Sequence, residues 1–202
     1  MYTLYGYGAS GNCYKIKLLL HHLNIDYDYK EVDFVIGETR TEEYLKINPV
    51  GQIPALVISE KESLAESNAI LFYLSEGTPY LPTNPYSKAK VLQWLFFEQY
   101  KHEPNIATVR FWKKILKRNE SQEEWRSRIQ EKTKNGYAAL KIMDDHLSKN
   151  DFFVDNTYSI ADIGLYAYTR KADEGEFDLS PYPNILKWFE RVESQERFLP
   201  FN

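Results

Sequence analysis

The sequence predicts an α/β domain with a small mixed sheet, followed by an all-α helical domain, and three observations carry that expectation. Strand, helix and strand signals crowd into about the first thirty residues, which implies a right-handed crossover and two parallel neighbours. Pro79, Pro82 and Pro85 then interrupt the chain over 78–85 with no period of either kind, as a linker does. Beyond them every periodic stretch has helical spacing. The expected division is therefore 1–77, a linker over 78–85, and 86–202.

Residues Thr3 to Tyr7 are rich in aromatic and β-branched types and run into Gly8, the composition of a short strand. Ile16, Leu19, Leu20 and Leu23 recur at i, i+3, i+4 and i+7, the stripe of a helix on a sheet, with Asn24 placed to end it. Tyr27 to Val32 reads as the second strand. A polar helix near Thr41 to Ile47 follows, then the turn Asn48-Pro49-Val50-Gly51 and the apolar run Ile53 to Ile58. The four residues Ser59 to Glu62 suffice for a hairpin into a short strand at Ser63-Leu64. From Ala69 the period turns helical, with Ile70, Tyr73 and Leu74 on one face and Gly77 as a stop. After the linker, Val91, Trp94, Leu95 and Glu98 begin a long helix that Pro104 should kink. Ser121-Gln-Glu-Glu124 and Ser159-Ile-Ala-Asp162 read as capping boxes, and a last helix with Trp188, Phe189 and Val192 follows Pro183.

Composition narrows the function. With 43% hydrophobic and 27% charged residues in 202, the chain has ordinary globular usage rather than that of a disordered or fibrous protein. The formal charge is −4, with no block of like charge, so neither nucleic acid nor an anionic membrane is an expected partner. Its one cysteine, Cys13, forbids an internal disulfide and fits a reducing cytoplasm. No apolar run approaches the length of a membrane span, and no secretory signal is visible.

Four motifs bear on chemistry. Gly6-Tyr-Gly8-Ala-Ser-Gly11, with Glu31 twenty residues further on, spells the dinucleotide fingerprint. A doubly wound domain needs further strand–helix–strand units, however, and the α/β pattern stops near Leu64; no nicotinamide or flavin is expected. Ser10-Gly11-Asn12-Cys13 has the spacing of a thioredoxin C-x-x-C with serine first. The start of a helix suits a thiolate, the protein's own or a ligand's. Serine there cannot be a redox nucleophile, but it can donate a hydrogen bond to a ligand's sulfur, or simply cap the helix. In Asn48-Pro-Val-Gly-Gln52-Ile53-Pro54-Ala-Leu56, Pro54 is either an ordinary strand start or a cis proline that turns the backbone of Ile53 towards an extended peptide ligand. Leu64-Ala-Glu66-Ser67-Asn-Ala-Ile70 is either a plain helix start or a carboxylate site, with Glu66 available to a ligand ammonium. His21, His22 and His102-Glu103, which lacks the second histidine of H-E-x-x-H, make no metal site.

Taken together, these loops and the Ser159-Ile-Ala-Asp162 box, in this order and spacing, resemble the cytosolic glutathione transferases over essentially the whole chain. The loop from Ser10 is closest to the bacterial-type classes that use serine or asparagine. The resemblance implies a thioredoxin-like first domain, with the family's helical domain after it. It also implies glutathione as co-substrate, its cysteine paired with Ile53 beside cis Pro54, its γ-glutamyl carboxylate at Glu66 and Ser67, and Gln52 nearby. A homodimer and a detoxifying role come with the family. Ser10 stands where the serine-type classes carry their activating hydroxyl; Asn12 is a rival donor, and Tyr5 and Tyr7 miss the tyrosine-type spacing by one residue. The thiolate would attack a small hydrophobic electrophile, a peroxide or a disulfide held between the domains. Tyr7, Phe111, Trp112, Tyr166 and Arg110 are candidate lining residues, or helix core. A non-catalytic binding or assembly protein of the same fold is the alternative.

Overall fold

In the computed structural model, which describes residues 1–201, the opening segment forms β1 (Tyr2–Gly6) and the first apolar stripe forms α1 (Gly11–His22). β2 (Tyr27–Glu31) pairs parallel to β1, Tyr2 opposite Tyr27 through Gly6 opposite Glu31. A single 3-10 turn and α2 (Glu42–Ile47) lead to β3 (Ala55–Ser59), β4 (Glu62–Ala65) and α3 (Ser67–Ser75). Both β1/β3 and β3/β4 are antiparallel, so the order is β2-β1-β3-β4. Two antiparallel junctions in four strands rule out the doubly wound sheet that the glycine fingerprint would need. This is the thioredoxin-like domain with its mixed sheet.

Gly6 has a packing reason. A Cβ there would lie 2.8 Å from the Cys13 sulfur, so only glycine lets β1 close onto α1. Glu31, the acidic residue of the false fingerprint, accepts from the Gly8 N–H at 2.9 Å and thereby braces the loop before α1.

The second unit is helical: α4 (Pro85–Phe97), α5 (Glu103–Arg110), α6 (Glu123–Leu147), α7 (Ile160–Arg170) and α8 (Pro183–Glu193). The expected kink at Pro104 takes the form of a wide π turn over Glu98–His102. Such a turn absorbs the hydrogen bond that proline cannot make. Ser159 caps α7 in a full capping box with Asp162. The box expected at Ser121 does not form: α6 starts after Gln122, and Ser121 is bonded through its N–H and hydroxyl to Asn119. Asn119 turns the backbone locally and so competes with the cap.

One departure concerns the end of the chain. Residues from Glu196 onward group with Met1–Leu81, whereas Pro82–Gln195 forms the other compact unit. The segment straps α1: Tyr14 Oη donates to the Leu199 carbonyl at 2.6 Å, and the His21 and His22 Nδ1 atoms donate to the Arg197 and Glu196 carbonyls at 2.6 and 2.8 Å. Phe201 stacks on Tyr14 with ring centres 4.3 Å apart. With the strap on one side and α3 on another, α1 buries Leu18 as well as the expected stripe. Ending the chain after Gln195 removes three hydrogen bonds of about 1 kcal/mol each and a stacked pair of about 1 kcal/mol. A loss of about 3–4 kcal/mol in urea unfolding is therefore expected. An unchanged midpoint would show the strap to be ornamental.

Candidate active site

Register alone brings three of the sequence motifs together. Tyr5, Ala55 and Ala65 stand in one row across β1, β3 and β4. β1 and β4 leave the sheet at the end where β3 enters it, so the loop after Gly6, the Ile53-Pro54 pair and Glu66 lie side by side at one edge. Each loop is then fixed by its own chemistry.

Ser10 is the N-cap of α1. Its N–H donates to the Tyr7 carbonyl at 2.9 Å, and its hydroxyl oxygen accepts from the Cys13 N–H at 3.4 Å. A cap uses a lone pair of the hydroxyl and not its proton. The capping role and a donor role are thus compatible. Cys13 is 1% exposed, and burial pushes its thiol up despite the Ser10 hydroxyl and the Tyr7 N–H. It is a packing residue and not a nucleophile.

The loop into β3 is held by side-chain hydrogen bonds and a glycine turn. The Gln52 carbonyl accepts from Tyr44 Oη and from Asn48 Nδ2, each at 2.7 Å. Gly51 has φ 67°, and a Cβ there would strike Arg40 and the Thr39 carbonyl. The Ile53-Pro54 bond is cis. Gln52 is exposed, Ile53 half-buried against Val32, Tyr44 and Ala55, and Pro54 buried.

At the third loop, Glu66 is exposed and has φ 66° and ψ 112°. That is a strained setting for a residue with a Cβ, and such strain marks functional turns. Immediately after it, Ser67 starts α3 and is 5% exposed. The Ser67 hydroxyl donates inward to Asn12 Oδ1 at 3.2 Å, and Lys15 Nζ donates to Asn12 Oδ1 at 2.8 Å and to Ser67 Oγ at 3.4 Å. The first and third motifs are therefore in direct contact. Lys15 was not among the sequence candidates, because a lysine within a helix reads as a solvated residue; here it is fully buried.

Two other candidates, Tyr166 and Arg110, are buried in packing. Tyr166 is 1% exposed, its ring edge-on to Trp188 and Phe189 and its hydroxyl on Glu193. Arg110 is buried and held by Glu174 through Nε at 2.8 Å and Nη2 at 2.7 Å. Both belong to the helical core. Trp112 packs edge-to-face on Trp125, and Tyr7 on Phe34. Among the described residues, no three His, Cys, Asp or Glu are grouped to hold a metal ion, and no helix is long and apolar enough to cross a membrane.

Comparison with known proteins agrees with this architecture. Residues 1–76 match the glutathione S-transferase N-terminal domain model, and 105–196 the C-terminal domain model. The chain belongs to the glutathione S-transferase family and is a glutathione-dependent enzyme. The fold superposes on the crystal structure of a glutathione S-transferase from Pseudomonas fluorescens with TM-score 0.95 and 48% identity, covering 99% of this chain and 98% of that one. The disulfide-bond oxidoreductase YfcG of Escherichia coli (strain K12) is 30% identical over 96% of this chain and 91% of its own length. The glutathione transferase URE2P6 of Phanerochaete chrysosporium, solved in complex with oxidized glutathione, is 25% identical with TM-score 0.85, covering 97% and 92%.

Proposed function

We propose that glutathione lies along the edge where the three loops meet and that Ser10 donates its hydroxyl proton to the glutathione sulfur, holding it as a thiolate. The observation that carries the reading is the row Tyr5, Ala55, Ala65, which gathers the loops, together with the hydrogen bond that joins Ser67 to Asn12. On this reading the backbone of Ile53, beside Pro54, pairs with the cysteine of glutathione, with Gln52 adjacent. The γ-glutamyl end rests at the start of α3, its ammonium on Glu66 and its carboxylate on Ser67. The thiolate then attacks a small hydrophobic electrophile, a peroxide or a disulfide. Disulfide chemistry has specific support in the likeness to an oxidoreductase. Cys13 cannot supply the thiol for it, so the sulfur would come from glutathione. The protein acts in the cytoplasm as a homodimer.

The test is ultraviolet absorbance of bound glutathione against pH. Saturable binding with a thiol pKa about two units below the free value of about 8.5 is expected. Binding with an unshifted thiol would favour a non-catalytic member of the fold, and no binding would end the assignment.

A further inference from the structure

Lys15 is fully buried, one turn beyond Asn12 on α1. An ammonium in such a place is costly to desolvate, and an apolar residue would fill the space without that cost. We propose that Lys15 is a positioning residue for the glutathione carboxylate: it holds Asn12 while the Ser67 hydroxyl turns from Asn12 to the ligand. The inference rests on the glutathione reading above and deepens it.

The argument is one of donors and acceptors. Asn12 Oδ1 has two lone pairs and receives both the Lys15 ammonium and the Ser67 hydroxyl. Ser67 has one proton, and it goes inward to Asn12. A carboxylate arriving at the start of α3 is a charged and stronger acceptor for that proton. With Ser67 on Asn12 and no Lys15 beside it, the departure of Ser67 would cost a part-buried amide oxygen a hydrogen bond, which would oppose binding. Lys15 removes that opposition, because its 2.8 Å bond to Asn12 remains when Ser67 turns away. The turned Ser67 oxygen still has a lone pair for the same ammonium, already 3.4 Å distant. Lys15 thus couples the loop at Ser10 and Asn12 to the turn at Glu66 and Ser67 without touching glutathione.

A positioning role of this kind is selective for one group of the ligand. Calorimetric affinities of glutathione and of 4-aminobutyryl-cysteinyl-glycine, which lacks only the γ-glutamyl carboxylate, separate it from a general structural effect. The wild type should prefer glutathione by about tenfold or more; Lys15→Met, with its fold checked by circular dichroism, should weaken glutathione about tenfold and the analogue less than about twofold. Equal weakening of both ligands, or of neither, overturns the proposal while leaving the glutathione reading intact. A wild type that binds neither ligand removes both. Should Lys15→Met fail to fold, the wild type still decides through nuclear magnetic resonance. The Lys15 ammonium and Asn12 amide signals should move with glutathione and stay with the analogue, and signals unmoved by glutathione refute the coupling.

Discussion

Replacing Asp162 with alanine is expected to destabilise the helical unit by on the order of 3–5 kcal/mol. Its carboxylate, with no solvent exposure, accepts from the Ser159 N–H at 3.0 Å, the Ser159 hydroxyl at 3.2 Å, the Phe153 N–H at 3.2 Å and Trp188 Nε1 at 3.0 Å. Phe153, Ser159 and Trp188 are themselves buried. Alanine leaves three N–H donors without acceptors, and each such group costs about 1–3 kcal/mol. Relief of the buried charge offsets part of the sum. Asparagine keeps one acceptor oxygen and should lose less. Urea unfolding followed by tryptophan fluorescence reads the difference, and an alanine variant within about 1 kcal/mol of wild type would contradict the network.

The same carboxyl sets a pH dependence. Burial pushes Asp162 up to about 7, against the donors from Trp188, Phe153 and Ser159 that pull it down. An acid raised from about 4 in the unfolded chain binds its proton more tightly when folded. Between those values the native state therefore carries the extra proton, and stability falls as pH rises. The contribution is whole below about pH 4 and is lost by about pH 7. Relative to Asp162→Asn, the wild type should lose stability across that window; a constant difference would refute the assignment.

The second large effect is expected at Ser10. Lowering a thiol from about 8.5 by two units requires about 2.7 kcal/mol of preference for the thiolate. A hydrogen bond to a charged acceptor supplies about 1.5–3 kcal/mol and the start of α1 about 0.3–1 kcal/mol. Ser10→Ala should therefore raise the bound thiol pKa by about one to two units and lower kcat/KM about 10–100-fold near pH 7. Asn12 has its oxygen turned inward to Lys15 and Ser67, so Asn12→Ala should act mainly on glutathione affinity. A depressed thiol pKa that survives Ser10→Ala would move activation to Asn12, Tyr5 or Tyr7.

Much of this was open to sequence reading because its causes are local. Ser10 before α1, the Ser159 to Asp162 box and Pro54 at the head of β3 follow from caps, spacing and a fixed proline ring, all of which act within a few residues. The same locality explains the failure at Ser121, where Asn119, two residues away, captured the groups the cap would have used. The glycine fingerprint misleads for a related reason: Gly6 answers to the sulfur of Cys13, seven residues on in sequence and brought close only by folding.

Residue order, by itself, determined the two-part architecture, the capped starts of α1 and α7 and the three candidate loops, since each depends on periods and caps within one turn or strand. Tertiary structure alone decided that Lys15 is buried between Asn12 and Ser67, that Glu66 takes φ 66°, that Tyr166 and Arg110 are core, and that the chain end returns to strap α1. These features join residues up to 185 positions apart. The energy that selects them is burial and pairing across the fold, which no local stretch of sequence expresses.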